Sequence, residues 1–150
     1  MAVWEDEYAA FWRELGPGGH MALATSLDGE VTARMMSVVQ LGGRLYFQTD
    51  RRFRKYAQLA GNPRAALCAE NTQILGRCRE LGHPREHSEF CRAYRELYPG
   101  SFGRYTQLED ERLFVLEPEF VERWLYIGGR PHVETFDVGA RRHEIREYRL

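Results

Sequence analysis

One lysine, Lys55, stands among 21 basic residues, and every other one is arginine. A general demand for positive charge does not account for one exception, so the position points to a specific use of a compact ammonium. Cysteine is scarce too. Cys68, Cys78 and Cys91 are an odd count without a C-x-x-C pair, which speaks against a disulfide framework and fits reduced, mostly buried thiols. No apolar run approaches the ~18 residues of a membrane span, so no membrane partner is expected. The start, Met1-Ala2-Val3-Trp4-Glu5-Asp6-Glu7, is acidic where a secretory signal is basic and lacks its apolar stretch; a cytoplasmic location is expected. A net charge of −1, with acidic residues interleaved among the arginines, gives no electrostatic footing for nucleic acid. Repeats and low-complexity tracts are missing.

What is present reads as a single domain over residues 1–150, large enough to bury about two-thirds of its unfolded surface. Trp4, Tyr8, Phe11, Trp12 and Leu15 recur at helical spacing and predict an amphipathic helix over about 3–15, whose aromatic stripe is packing surface. From His20 the period changes to two. His20–Leu27 and Val31–Gln40 form strands joined by Asp28-Gly29, and Gly42-Gly43 turns the chain into Arg44–Thr49. A short helix over about Phe53–Ala60 ends at Gly61-Asn62-Pro63, and strands follow at Arg64–Ala69 and Gln73–Leu81. Gly76 within the latter suggests a bulge or close backbone approach. His83-Pro84 opens a helix carrying Phe90, Cys91, Tyr94, Leu97 and Tyr98, with Pro99-Gly100 as its end and a looser segment to about Asp110. Arg112–Glu117, broken or bulged at Pro118, continues as Phe120–Ile127, and Gly128-Gly129 returns it through His132–Val138. The charged tail, 139–150, shows little periodicity and is read as a poorly ordered extension or partner-contacting arm. The expected fold is mainly β with peripheral helices: an antiparallel split β-barrel of six to seven strands over about 20–138.

The stretch Val31–Lys55 reads as an anion-binding corner. The helix start offers unpaired N–H groups and the positive end of a dipole, Arg34 a planar fork of donors and Lys55 a point charge. If both turns are two-residue loops, Leu41 faces Arg44 and the register sets Met36 opposite Thr49, so that Arg34, Met36 and Thr49 project to one side.

These residues resemble the FMN-binding split-barrel family typified by pyridoxamine 5′-phosphate oxidase. The similarity rests on Arg34-Met35-Met36-Ser37, on Phe47-Gln48-Thr49 followed by Arg54-Lys55 and Asn62-Pro63, on Gln73 ahead of Gly76, and on a late aromatic before Gly128-Gly129. The resemblance implies that Arg34 and Lys55 hold the FMN phosphate with help from Thr49 and Arg54. It implies that backbone groups of Met35, Met36, Ser37 and Gln48 lie along the ribityl chain and ring, and that Gln73 approaches the isoalloxazine edge. Trp124 or Tyr126 would come from the second subunit of a homodimer. The family pattern is broken at Phe53, where the oxidase has a small hydroxyl residue, and near Val39, where it has a lysine; pyridoxamine phosphate is therefore not implied as substrate.

The activity expected is a flavin-dependent oxidoreductase acting on a small molecule with a nicotinamide donor, NAD(P)H. The alternatives are a non-catalytic flavin-binding or sensing protein, or the same fold carrying a deazaflavin or haem. No metal site is expected: His83, His87 and Cys91 are evenly spaced, but His83 precedes Pro84 and Cys91 belongs to the apolar stripe. Glu109-Asp110-Glu111 reads as a solvated turn.

Overall fold

A computed structural model describes residues 3–150; Met1 and Ala2, which open the acidic stretch discussed above, lie outside it. Helix α1 (Val3–Leu15) precedes strands β1 (Gly18–Leu27), β2 (Glu30–Leu41) and β3 (Arg44–Asp50), then α2 (Arg54–Gly61), β4 (Arg64–Ala69) and β5 (Thr72–Glu80). A single 3-10 turn (Pro84–Glu86) leads to α3 (Ser88–Leu97) and α4 (Pro99–Tyr105), followed by β6 (Glu111–Ile127), β7 (Arg130–Asp137) and β8 (Arg142–Glu147). All ladders are antiparallel, in the order β3-β2-β1-β4-β5-β6-β7-β8, and β3 pairs again with β6. Six strands thus close a barrel, and β7 and β8 continue the sheet beyond it.

The hairpins follow from local chemistry. Asp28 and Gly29 take φ values of 52° and 82°, the two left-handed residues that a tight turn between right-twisted strands requires. Closure follows from β6. Its first half, Glu111–Leu116, pairs with β3, its second half, Phe120–Ile127, pairs with β7, and β5 borders both. The stretch 117–119 between the two ladders holds Pro118, which has no N–H to donate, and the bulge opposite Leu75 and Gly76. Gly76 lies so close to this kink that a Cβ there would sit 2.2 Å from the Glu117 carbonyl oxygen.

Two apolar clusters hold the domain. Met21, Leu23, Met36, Val38, Leu45, Phe47, Leu67, Ile74 and Phe114 fill the barrel, while Val39, Phe90, Tyr94 and Leu113 bind α3 to its outer surface. The aromatic stripe of α1 is packing surface, as its spacing predicts: Trp4, Tyr8 and Phe11 surround Phe136 of β7 at centroid distances of 6.0, 5.7 and 5.3 Å.

Three expectations are corrected. The tail is not a loose arm: β8 pairs with β7 along its length, and His143 stacks on Phe136 at 4.5 Å. The helix does end ahead of Pro99-Gly100, at Leu97, but no loose segment follows directly: Pro99 occupies the first turn of α4, where its missing N–H costs nothing. The β2–β3 ladder covers only Val39–Leu41 against Arg44–Tyr46, so Met36 does not pair with Thr49, whose partner is Arg112 of β6. Of the thiols, Cys78 is buried, whereas Cys91 is half-buried and Cys68 exposed.

The role of β8 is measurable. His143 Nε2 lies 2.7 Å from Oε2 of the buried Glu134, whose other oxygen receives Arg123. His143→Ala is expected to lower stability by about 1–2 kcal/mol in urea unfolding, through loss of the stack and of a hydrogen bond to a buried carboxylate. Unchanged stability would mean that the His143 side chain adds nothing to the fold.

Candidate functional site

Where β2 and β3 part, α3 and α4 roof the gap and the first turn of α2 closes its end. The result is a cleft of about 370 Å³ lined by Gln48, Thr49, Asp50, Lys55, Tyr94, Tyr105 and Glu111, among others. Alternation along the strands decides who faces it. Phe47 turns into the barrel and Gln48 and Asp50 turn out toward the roof, while Thr49, at the parting, is buried and also lines the cleft.

Lys55 is half-buried. Burial and then repulsion from Arg34 lower its pKa, with partial relief from Glu111 and Asp50. The two cations therefore sense each other, although they lie on different elements. Arg34 occupies the barrel-facing side of β2, where its guanidinium donates to Leu23 O at 3.0 Å, Thr25 Oγ1 at 2.9 Å, Gln58 Oε1 at 3.4 Å and the Thr32 hydroxyl. Every one of these acceptors is neutral. Among the described residues neither Arg34 nor Lys55 forms a salt bridge, whereas Arg51, Arg52 and Arg54 beside them are paired with Asp110, Asp50 and Glu30. A half-buried pair of like charges that Asp50 and Glu111 offset only in part is costly, and an anion beside Lys55 would relieve it further.

The other expected residues divide. Gln48 and Thr49 line the cleft; Gln48 Oε1 accepts from Thr106 Oγ1 at 3.1 Å. Met36 is buried in the barrel, Ser37 reaches Tyr94 under the roof, and Met35 is 62% exposed on the outer face. Arg54 is not brought to the cleft; it points to Glu30 of the β1–β2 hairpin. Gln73 is exposed on the outer face, opposite Cys68 and Glu122. Trp124 and Tyr126 stand exposed on the β6–β7 hairpin with ring centroids 6.0 Å apart, and neither lines the cleft of its own chain. His83, His87 and Cys91 are each engaged by backbone: His83 by Leu108 O and the Arg85 N–H, His87 by Leu81 O, Cys91 by Pro84 O.

Of Glu109-Asp110-Glu111, only the last departs from the solvated turn expected. Glu111 is no solvated turn residue but a 5% exposed one that opens β6 directly opposite Asp50. Asp50 accepts from Arg52, which holds its carboxyl down at about 2, so it stays ionised. Burial first, then the Asp50 charge, push Glu111 up to about 7, against the pull of Lys55 and the Gln48 side chain. The available signal was the apolar run Leu113–Leu116, whose strand extends back to the glutamate.

Comparison with known proteins agrees with this architecture. A family profile described as pyridoxamine 5′-phosphate oxidase matches residues 5–125. None of the curated proteins matches the chain at a significant level. Among solved structures, a pyridoxamine 5′-phosphate oxidase-related, FMN binding protein from Nostoc punctiforme is 18% identical, with TM-score 0.67 over 100% of this chain and 98% of that one. PhzG from Burkholderia lata, in complex with tetrahydrophenazine-1-carboxylic acid, is 15% identical with TM-score 0.65, covering 100% and 97%. HutZ, a haem storage protein from Vibrio cholerae, is 18% identical with TM-score 0.60, covering 77% and 90%. At these identities the likeness to solved structures concerns the fold, while the profile match spans most of the sequence. The chain is a member of the pyridoxamine 5′-phosphate oxidase family.

Proposed function

We propose that the chain binds FMN, as a homodimer, and serves as a flavin-dependent oxidoreductase for a small molecule with a nicotinamide electron donor. The observation that carries this reading is the pair Arg34 and Lys55: Lys55 lines the cleft, Arg34 on the neighbouring β2 is close enough to lower its pKa, and among the described residues neither forms a salt bridge with a carboxylate. Lys55 and the Arg34 guanidinium would hold the phosphate, Thr49 would add a hydroxyl, and the backbone of Met35, Met36 and Ser37 would border the chain and ring. The flavin supplies the redox chemistry. The protein positions it, excludes water and keeps the phosphate end positive.

The homodimer has its own support. The outer face of β2, β1, β4 and β5 carries Val31, Ala33, Met35, Ala24, Ala66 and Leu75, and Val31 and Met35 are 70% and 62% exposed. An uncovered apolar sheet of small residues suits a flat face of a second copy. The exposed Trp124 and Tyr126 would then be supplied to the partner's cofactor.

Haem is the second reading, because HutZ has the same fold and is a haem storage protein. Among the described residues the cleft offers Tyr94 and Tyr105 as the haem-ligating side-chain types, and no histidine or cysteine. Incubation of the purified protein with FMN, a deazaflavin and haemin separates the readings. Micromolar or tighter FMN binding, seen as quenching of flavin fluorescence, is expected. Bleaching of the bound flavin by NAD(P)H without air would favour an enzyme over a flavin store or sensor. Haem binding without flavin binding would overturn the FMN assignment.

A further inference from the structure

Glu111 has no part in the reading above, yet it stands in the same cleft as Lys55. Its place is built by register: the antiparallel β3–β6 ladder sets it directly across from Asp50, on the face roofed by α3 and α4. Two carboxyl groups on adjacent strand positions repel if both are ionised. Asp50 is committed to Arg52, so Glu111 is the one that yields.

We propose that Glu111 belongs to the anion site as a neutral carboxylic acid that donates its O–H to the bound phosphate, so that binding takes up one proton. This inference rests on the cofactor reading and adds a residue and a charge requirement to it. An ionised Glu111 would turn Lys55 toward itself and repel the ligand; a protonated Glu111 leaves the ammonium to the ligand and adds a donor. In the step, the ionised carboxylate gains a proton from solvent and shares it with a phosphate oxygen.

The groups facing Glu111 are consistent with this role. Asp50 on β3 disfavours its ionisation, while Lys55 on α2 favours it. The Gln48 side chain on β3 hydrogen-bonds the carboxylate and also favours ionisation, and Arg52, Tyr94 on α3 and Tyr105 on α4 share the lining. Asp110, next to it in sequence, is taken by Arg51 at 2.8 Å. Burial outweighs the attractive contributions, and the apo carboxyl titrates at about 7. A phosphate nearby raises that value further. Affinity is therefore highest at low pH and falls as pH rises from the apo value to the value in the complex. The second ionisation of the phosphate itself, at about 6, lies below this window.

FMN affinity of wild type and Glu111→Gln across this range tests the proposal. Wild-type affinity should fall about tenfold between about pH 7 and about pH 8.5. Glu111→Gln, which keeps a donor but does not titrate, should lose most of that fall and bind more tightly than wild type at the upper end. Because the Glu111 charge also raises the Lys55 pKa, the same comparison is made on a Lys55→Arg background, whose guanidinium does not titrate in this range. Riboflavin, which lacks the phosphate, should show no such fall with either protein. Equal pH slopes for FMN in the two proteins, with FMN bound by both, would overturn the role of Glu111 and leave the cofactor reading standing. Absence of FMN binding by either would overturn both. The wild-type protein alone provides a second measurement. Titration calorimetry above neutral pH, in two buffers of different ionisation heat, should report close to one proton taken up per FMN; identical heats would refute the proposal.

Discussion

Lys55→Ala is expected to weaken FMN binding at least tenfold, about 1.4 kcal/mol, while leaving the thermal stability of the apo protein unchanged or slightly raised. A charge-assisted bond to phosphate contributes about 1.5–3 kcal/mol, so loss of one accounts for the change. Stability is spared because the ammonium forms no salt bridge among the described residues; it leans over the Phe53 ring at 4.7 Å and is repelled by Arg34. Removing it relieves a half-buried like-charge contact. Riboflavin affinity should hardly respond, and Lys55→Arg should recover part of the FMN affinity. Arg34→Ala should also weaken FMN at least tenfold, but at a cost in stability, since that guanidinium ties β1, β2 and α2 through Leu23, Thr25, Thr32 and Gln58. Fluorescence titration with parallel thermal melts distinguishes the two variants. Unchanged FMN affinity in both would remove the phosphate from this corner.

Gly76→Ala should be strongly destabilising, lowering stability by about 3 kcal/mol or more. The backbone angle is not the reason; the space is. The added carbon would meet the Glu117 carbonyl oxygen at 2.2 Å and the Leu116 side chain at 2.9 Å. Neither retreats freely, because Leu116 is fully buried and pairs with Leu45 and Cys78. Relief requires β5 and β6 to separate where β6 passes from its β3 ladder to its β7 ladder. Urea unfolding of Gly76→Ala beside Gly19→Ala, a position with open space around it but a φ of 155°, separates collision from conformational effects. Near-wild-type stability for Gly76→Ala would show that the bulge slides to make room.

The parts of this fold that were legible are those governed by neighbours in sequence. Asp28-Gly29, Gly42-Gly43 and Gly128-Gly129 announce hairpins because they supply left-handed backbone at both turn positions. The α1 stripe announces a buried face in the same way. What escaped depends on distant partners. Arg142–Glu147 has one apolar residue, Ile145, and becomes a strand because β7 offers an edge and His143 finds Phe136. Pro99 reads as a stop and does follow the end of α3, but it also starts α4, which packs against α3 over β3. Met36 and Thr49 have the register expected of a two-residue turn, but the β2–β3 ladder ends at Val39 and Tyr46, while β6 runs along the other edge of β3. In the site, Arg34 and Lys55 were found by residue type. Glu111 was missed because its burial arises from β3, β6 and α3 meeting, not from the charges beside it in sequence.

The mutual dependence of α1 and β7 bears on how the chain folds as it leaves the ribosome. The helix is translated before every strand, yet the ring that its aromatic side chains grip, Phe136, belongs to the last strand but one. For most of synthesis Trp4, Tyr8 and Phe11 therefore lack the ring they cover, and an early helix of this kind is a natural client for holdase chaperones.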